Sequence, residues 1–179
     1  MKSIIALCAP TGDGKTTLIR AALDLCLEAI APIRSTTTRP REDRDDDFSY
    51  EYITMSEFNR RHKAGRFVNV DRYGNNWYGY DRYNIEKVLA HGICAATQKG
   101  ILDLQRASYT VMPIKIVAKG NEEAKEAFYR KNPQRKIDDE EREKIPIPYV
   151  LRTTNSFWPG GLEFAAQKLV NFILSLDKK

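Results

Sequence analysis

The stretch "APTGDGKTT" at residues 9–17 matches the phosphate-binding pattern G-x-x-x-x-G-K-[ST] at every fixed position except the first. Gly14, Lys15 and Thr16 stand at the fixed positions, and Ala9 replaces the opening glycine. In such a turn, exposed backbone N–H groups and the dipole of the following helix favour phosphate oxygens. Alanine is the least disruptive replacement for glycine as long as the backbone φ stays negative. The stretch therefore predicts a phosphate-binding turn.

The residues on either side of this turn supply the context that a P-loop requires. "SIIALCA" at residues 3–9 is a continuous apolar run, which is typical of a strand buried on both faces. "KTTLIRAALDLCLEAI" at residues 15–30 has helical periodicity. Its predicted apolar stripe consists of Leu18, Ile19, Ala22, Leu25, Cys26 and Ala29. A strand, a glycine-rich turn and a helix thus follow one another in the expected order.

Composition predicts one soluble domain whose partner carries phosphate. The 179 residues are 42% hydrophobic and 30% charged, and the net charge is +5. No stretch approaches the roughly 20 apolar residues that cross a bilayer. The three cysteines Cys8, Cys26 and Cys94 lie in apolar stretches without metal-ligand spacing. We expect them to be reduced core residues of a cytoplasmic protein.

The rest of the chain alternates apolar runs with polar insertions. Further core strands are predicted at residues 93–97, 111–118 and 147–153, and an amphipathic helix at residues 161–176. Residues 34–83 are polar and aromatic, which predicts an inserted flap with little core of its own. The charged residues 121–144 predict a helical cap. This alternation indicates a mostly parallel α/β sheet.

Two stretches of the flap have a binding interpretation and a plainer one. Arg39 and Arg41 in "STTTRPRED" offer fork-shaped donors for phosphate oxygens, or they belong to a solvated basic loop. "RYGNNWYGYDRY" at residues 72–83 provides either a stacking wall for a base or a hydrophobic patch that supports the flap. The acidic run "EDRDDD" at residues 42–47 is interpreted as a solvated loop.

Taken in order, these motifs resemble the guanylate kinase family. The P-loop matches, and so does a Ser-x-x-Thr-Arg-x-Pro-Arg region, which is one residue shorter here between Arg39 and Arg41. "SYEYITMSEF" at residues 49–58 supplies Tyr50, and "GRFVNVDRYGNNWYG" at residues 65–79 supplies Tyr78. The resemblance runs over about residues 3–100 and resumes loosely at "PYVLRTTN".

The resemblance implies a P-loop NTPase-type, three-layer α/β fold with an inserted flap and a helical lid. The core would comprise residues 1–33, 84–119 and 145–179, the flap that binds a nucleoside monophosphate residues 34–83, and the lid residues 120–144. The implied partners are small-molecule nucleotides, not nucleic acid or a membrane, and the chain would be a monomer or homodimer.

The implied reaction is phosphoryl transfer from ATP to a nucleoside monophosphate. Lys15 would hold the donor phosphates and Thr16 would bind Mg²⁺, and the complete ATP-binding set is Thr11, Gly12, Asp13, Gly14, Lys15, Thr16 and Thr17. The acceptor phosphate would contact Arg39, Arg41, Tyr50 and Tyr78. On the charged cap, Arg135 and Arg142 are catalytic candidates beside Lys15 and Arg39, and Arg130 is a further lid candidate. The plainer interpretation of the cap arginines is a solvated helix face.

The base-recognition positions depart from the family pattern. Asn69 and Thr97 stand where the family has acidic residues that read guanine, Ala95 replaces a nearby aspartate, and Tyr80 replaces a serine. Ser35, a hydroxyl that the family directs at the base, is kept. An amide offers one donor and one acceptor, whereas a carboxylate offers acceptors only. We therefore expect a changed or relaxed base preference, with a purine as the safer guess and a deoxynucleotide or modified base also open.

Two other functions stay open. A ribose 1,5-bisphosphate kinase on the same fold would explain the missing guanine contacts, although Arg39, Arg41 and Tyr50 favour a nucleotide acceptor. A non-catalytic binding module would keep the fold without the chemistry, although Lys15 and Thr16 favour a working donor site. The resemblance leaves the acceptor itself unidentified.

Overall fold

A computed structural model describes residues 3–10, 12–43, 45–46, 48–119, 122–131, 133, 136, 147, 149–154 and 161–177. The strands are β1 (Ile4–Cys8), β2 (Ile30–Pro32), β3 (Ser35–Thr37), β4 (Tyr50–Tyr52), β5 (Phe67–Tyr73), β6 (Asn76–Asp81), β7 (His91–Ala95), β8 (Val111–Lys119) and β9 (Tyr149–Thr154). The helices are α1 (Lys15–Leu25), α2 (Met55–Lys63), α3 (Arg82–Glu86), α4 (Gln98–Arg106), α5 (Glu122–Lys131) and α6 (Gly161–Leu176).

The larger sheet has five parallel strands in the order β2-β7-β1-β8-β9. Its central strand β1 is buried on both faces, since Ile5 and Leu7 join one apolar cluster while Ile4 and Ala6 join the other. Helices α1 and α6 cover the first face, and residues of α3 and α4 contribute to the second. The predicted α/β class with a three-layer parallel core is confirmed.

Helix α1 is shorter than its apolar periodicity predicts. It ends at Leu25, where the backbone N–H of Cys26 donates to the carbonyls of Ala22 and Leu23. Leu25 is 51% exposed, and Leu23 lies in the core instead. The predicted stripe is therefore wrong at Leu25, which lies at the edge of a buried face that runs through Ile19, Ala22 and Leu23. Cys26 and Ala29, beyond the helix end, still pack against the cluster.

The smaller sheet has the order β4-β3-β6-β5 and is formed wholly by residues of the predicted flap. Strands β3 and β4 are parallel, whereas β6 is antiparallel to both β3 and β5. Helix α2 packs Phe58 against Phe67, with 4.5 Å between the ring centroids. Phe58 is the large side chain that α2 buries.

Charged hydrogen bonds tie this smaller sheet together. The buried carboxylate of Asp81 accepts from Arg66 at 2.7 Å and from Arg61 at 3.2 Å. Glu51 accepts from Arg61 and Asn84 at 2.9 and 2.8 Å. Burial alone would raise the pKa of Glu51, but these donors outweigh it and lower the pKa. The network links β4, α2, α3 and the end of β6 where little apolar surface is available.

Within the described residues, no helix is both long enough and apolar enough to cross a membrane. Cys8, Cys26 and Cys94 are free thiols, and burial raises the pKa of Cys94 to about 12. That thiol is therefore protonated at neutral pH. The predicted lid, residues 120–144, lies largely outside the described residues, so its boundaries stay a prediction.

Candidate active site

The turn between β1 and α1 has the backbone geometry of an anion-binding loop. Gly12 and Gly14 have φ values of 87° and 75°, which L side chains rarely adopt. A Cβ added at either glycine would meet nothing within 4 Å, so glycine is required by conformation and not by space. Ala9 is not among the positive-φ residues, which meets the condition for replacing glycine there. Thr11 lies outside the described residues.

The side chain of Lys15 folds back over this turn. Its Nζ donates to the carbonyl oxygens of Ala9 at 2.6 Å and Pro10 at 2.8 Å. These carbonyls follow the carboxyl end of β1, where ligands bind in open parallel sheets. The ammonium therefore lies beside the turn, with phosphate oxygens as natural replacements for the two carbonyls.

Asp13 contributes a contact that the sequence did not indicate. Its buried carboxylate forms an ion pair with Lys125 of α5. The resemblance placed Asp13 in the ATP-binding set, but its side chain joins the turn to the first helix of the predicted lid. Arg130 is exposed near the end of α5, and Arg135 and Arg142 lie outside the described residues.

A magnesium site at Thr16 would depend mainly on the nucleotide. Thr16 and Thr17 are exposed on the first turn of α1. In the part of the chain that the structure describes, no group of three His, Cys, Asp or Glu side chains is arranged to hold a metal ion. Mg²⁺ commonly takes one or two protein ligands together with phosphates and water. A single exposed hydroxyl at the turn fits that donor set.

Arg39 lies at the centre of a cluster of acidic and aromatic side chains. Its guanidinium donates to Asp45 at 2.7 Å, Glu42 at 3.1 Å and Tyr52 at 3.2 Å. It also lies 5.4 Å from the ring centroid of Tyr50. Burial opposes its charge, but the hydrogen bond with Asp45 outweighs burial and raises the pKa of Arg39. The cluster is a site for an anion, and Asp45 provides that anion within the chain.

The interpretation of residues 42–47 as a solvated loop is wrong for two of its aspartates. Asp45 is only 12% exposed at its side chain. Burial would raise its pKa, but hydrogen bonds from Arg39 and the backbone of Glu42 outweigh burial and lower the pKa to about 2. Asp46 accepts from the backbone N–H groups of Phe48 and Ser49. The partly buried cation of Arg39 stabilises the carboxylate of Asp45 away from solvent, and these backbone N–H groups do the same for Asp46.

The tyrosines of the flap form one wall. Tyr50 and Tyr78 meet edge to face with 6.2 Å between their ring centroids. Burial raises the pKa of Tyr78. Arg41 is exposed, with its guanidinium 5.8 Å from the ring centroid of Tyr52. Sequence reasoning missed Tyr52, although the spacing of "YEY" places Tyr50 and Tyr52 on the same face of β4.

Asn69, Tyr80 and Thr97 come together at the start of α4, in what we call the base corner. The backbone N–H of Tyr80 donates to Oδ1 of Asn69 at 3.0 Å, and the buried Tyr80 hydroxyl donates to the Ala95 carbonyl at 2.6 Å. Burial raises the pKa of Tyr80. Thr97 caps α4 by accepting from the N–H of Gly100 at 3.0 Å. These contacts within the protein fix the positions of the three side chains without a ligand.

Asp71 is a second residue of the site that sequence reasoning missed. Oδ2 of Asp71 accepts from the Thr97 hydroxyl at 3.0 Å, and Oδ1 lies 3.3 Å from Nζ of Lys99. Asp71 follows Asn69 by two residues on β5, so the two-residue period of a strand would have found it. The family motif directed attention to Asn69 and away from its neighbour.

One cleft contains the donor turn, the tyrosine wall and the base corner. It opens at the carboxyl ends of β1 and β7, as expected for a ligand site in a parallel sheet. The candidate residues that line it are Lys15, Ser35, Tyr50, Asn69, Asp71, Tyr78, Tyr80 and Thr97. The structure therefore brings the predicted residues of this set together and adds Asp71, which was not predicted. Arg39 and Arg41 contact the tyrosines beside the cleft.

Comparison with known proteins identifies one family. The family model described as guanylate kinase matches residues 1–145. The guanylate kinase of Rubrobacter xylanophilus is 34% identical over 90 residues, which cover 50% of this chain and 47% of that protein. The guanylate kinase of Rickettsia bellii is 31% identical over 90 residues, covering 50% of this chain and 47% of that protein. The matched region thus spans about half the length of these curated relatives.

A solved structure supports the same fold. The crystal structure of guanylate kinase from Anaplasma phagocytophilum matches with a TM-score of 0.69, covering 99% of this chain and 87% of that chain. Sequence identity over this match is 21%, so the likeness supports the fold alone.

Proposed function

The chain belongs to the guanylate kinase family, and from this membership we propose that it is an ATP-dependent nucleoside monophosphate kinase. One observation carries the proposal: Lys15 of the donor turn and Tyr50, Tyr78 and Ser35 of the flap line the same cleft. Phosphoryl transfer requires donor and acceptor to be held in line in one site. A module that only binds a partner has no need for a donor lysine opposite an acceptor wall.

On the donor side, the turn would hold the phosphates of ATP. The N–H groups at the start of α1 and the ammonium of Lys15 supply positive potential at the carboxyl end of β1. Lys15 would exchange the carbonyls of Ala9 and Pro10 for phosphate oxygens. Thr16 would hold Mg²⁺, which when bound neutralises the charge that develops on the transferred group.

On the acceptor side, Arg39 and Arg41 with Tyr50 and Tyr78 would bind the monophosphate. Arg39 already binds a carboxylate in this position, which supports its affinity for an anion. The acceptor phosphate would therefore have to displace Asp45 from Arg39.

The lid, residues 120–144, would close over the core (residues 1–33, 84–119 and 145–179) and the flap (residues 34–83). Arg130, Arg135 and Arg142 would then approach the migrating phosphoryl group. Closure excludes water, which otherwise would accept the phosphoryl group itself. The ion pair between Asp13 and Lys125 supports this arrangement, because it joins the donor turn to α5.

The base preference would differ from that of a guanine-selective enzyme. Oδ1 of Asn69 accepts from the backbone of Tyr80, so the amide presents its NH₂ group as a donor. A donor opposite the adjacent N–H groups of guanine leaves polar groups unpaired, which disfavours that base by about 1–3 kcal/mol. The identity of the favoured base and of the sugar follows from the experiment below.

A panel of acceptors tests this function. The chain is incubated with ATP, Mg²⁺ and GMP, dGMP, AMP, CMP, UMP or TMP, and formation of the nucleoside diphosphate is measured. At least one monophosphate should be converted, and conversion should be lost in Lys15→Ala. Use of GMP alone, at the efficiency of an ordinary guanylate kinase, would contradict the changed base preference. Phosphorylation of ribose 1,5-bisphosphate but of no nucleotide would overturn the proposed function.

A further inference from the structure

Strand β5 presents Asn69, Asp71 and Tyr73 to the cleft, and the first two differ in hydrogen-bonding chemistry. Asn69 and Asp71 are two residues apart, so they share one face of the strand, and both line the cleft. Asn69 is buried, whereas the side chain of Asp71 is 16% exposed. The carboxylate missing from position 69 thus has a counterpart two residues further along.

The amide of Asn69 is fixed in orientation by its neighbours. Oδ1 accepts from the backbone N–H of Tyr80 at 3.0 Å, which requires the oxygen and not the NH₂ group to face β6. Nδ2 therefore faces the start of α4, where it would lie 3.4 Å from a Cβ placed on Gly100. Position 69 consequently offers a hydrogen-bond donor to a ligand in the cleft.

The carboxylate of Asp71 is held from the opposite side. The Thr97 hydroxyl donates to Oδ2 at 3.0 Å, and Thr97 is itself fixed as the N-cap of α4. Lys99 lies 3.3 Å from Oδ1 and balances its charge. An ionised carboxylate has about four acceptor positions, so these two contacts leave acceptor capacity facing the cleft.

The cross-strand register places Asp71 beside the acceptor wall. Asp71 pairs with Tyr78 across the β5–β6 ladder, and Tyr78 is the tyrosine assigned to the acceptor phosphate. Deeper in the cleft, the ring of Tyr80 is buried, and its hydroxyl is bonded to the Ala95 carbonyl. Tyr80 thus fills part of the cleft wall beside Asn69 and Asp71.

We infer that Asp71 is the specificity-determining carboxylate of the acceptor site, which accepts a hydrogen bond from an N–H group of the base while Asn69 donates to an adjacent ring acceptor. This inference rests on the proposed function. The substrate class is a nucleoside monophosphate whose base presents an N–H donor next to a ring-nitrogen acceptor at the edge that enters the cleft. Thr97 positions the carboxylate and does not read the base itself.

The test compares the unaltered chain with Asp71→Asn, which exchanges an acceptor for a donor at nearly constant volume. With the preferred monophosphate of the panel, kcat/KM should fall roughly 10- to 100-fold, because one polar partner is left unpaired. The KM for ATP should not change. The ratio of kcat/KM between the preferred base and the next best base should change by about 10-fold, a readout that a purely structural role would not move.

Asp103→Asn is the matched control. Asp103 also contacts Lys99, at 2.8 Å, but it does not line the cleft. This variant neutralises the other carboxylate partner of Lys99 without altering the base contacts, so its kinetics should match those of the unaltered chain. An equal effect of Asp71→Asn and Asp103→Asn on every acceptor would overturn the inference.

The variant Asn69→Asp distinguishes the role of position 69 from that of position 71. If position 69 alone reads the base, this variant raises the use of GMP while Asp71→Asn changes nothing, and the inference is wrong. If the unaltered chain phosphorylates no monophosphate, the proposed function fails and calorimetric binding of the same monophosphates decides the inference. Weaker binding of some bases but not others by Asp71→Asn supports the inference. Unchanged binding by this variant, or no binding by the unaltered chain, overturns the inference.

Discussion

The phosphate side and the base corner of the cleft are built by different means. The phosphate side is made of main-chain geometry and cations: two left-handed glycines, the start of α1, and the charges of Lys15 and Arg39. The base corner is made of side chains that contact one another across β5, β6 and α4. The glycine turn of the phosphate side matches the P-loop pattern at all but one fixed position. The base corner is predicted from the sequence to depart from the family pattern at several positions.

Such a division would let one fold accept different bases without rebuilding the phosphate turn. Phosphate is common to every nucleotide, so a turn that binds it works whatever base is attached. Base recognition depends on which side chains donate and which accept, and these roles change with single substitutions. In this chain Tyr80 is hydrogen-bonded to Asn69, and Thr97 to Asp71 and Gly100, within one cleft beside the two sheets.

Removing the donor lysine should have the largest effect. Lys15→Ala should lower kcat about 100- to 1000-fold, because a preorganised charge at the transferred phosphoryl group is lost. The loss should be the same for every acceptor, as measured by steady-state kinetics across the panel. Lys63→Ala, an exposed lysine on α2, is the control and should be silent. A loss that depends on the base would contradict the division between the two regions.

Arg39→Ala should have the next largest effect. The KM for the acceptor should rise roughly 10- to 100-fold, since hydrogen bonds to charged groups contribute about 1.5–3 kcal/mol. The rise should again be independent of the base. Arg60→Ala removes an exposed ion pair with Glu57 and serves as the comparison. A KM unchanged in Arg39→Ala would remove this residue from the acceptor site.

Tyr80→Phe tests whether the base corner acts through shape or through hydrogen bonding. The variant loses the 2.6 Å bond to the Ala95 carbonyl, so the free energy of unfolding should fall by about 1 kcal/mol in urea denaturation. The ring remains, so the order of base preference should not change. Exposed Tyr83→Phe is the matched substitution. A reordered preference would show that the hydroxyl takes part in recognition.

Asp45→Asn should have the smallest effect, in the opposite direction. The variant weakens an internal competitor for Arg39, so the acceptor KM should fall by up to about five-fold, the range of a partly exposed ion pair. Exposed Asp43→Asn is the control. A rise in acceptor KM would mean that Asp45 orients Arg39 for the acceptor instead of competing with it.

The pH dependence of this pair has a defined direction. Folding lowers the pKa of Asp45 from 3.8 to about 2, so the pair stabilises the fold fully above the unfolded pKa. The contribution is lost as the pH falls through about 2. The effect of Asp45→Asn on KM should therefore be constant between mildly acidic and mildly basic pH, as a pH series of the kinetics would establish.

Much of the fold could be predicted because its signals are local. The apolar run of β1, the glycine turn and the periodicity of α1 lie within about the first 25 residues, and α6 matches its predicted range of 161–176. The end of α1 was misjudged, since Leu25 and Leu23 exchange roles where the helical period stops. The acidic loop was misjudged because the partner of Asp45 is a cation whose burial is not visible in sequence.

The sequence by itself determined the layered parallel sheet and the glycine turn after β1, because periodicity and short motifs act over a few residues, and it predicted the positions at which the base corner departs from its family. Only the tertiary structure decided what fills that corner. Thr97 and Asp71 are 26 residues apart in sequence yet 3.0 Å apart in space, and Asn69 and Tyr80 meet across a strand pair. Hydrogen bonds of a few ångströms depend on how strands and helices pack, which no local pattern specifies.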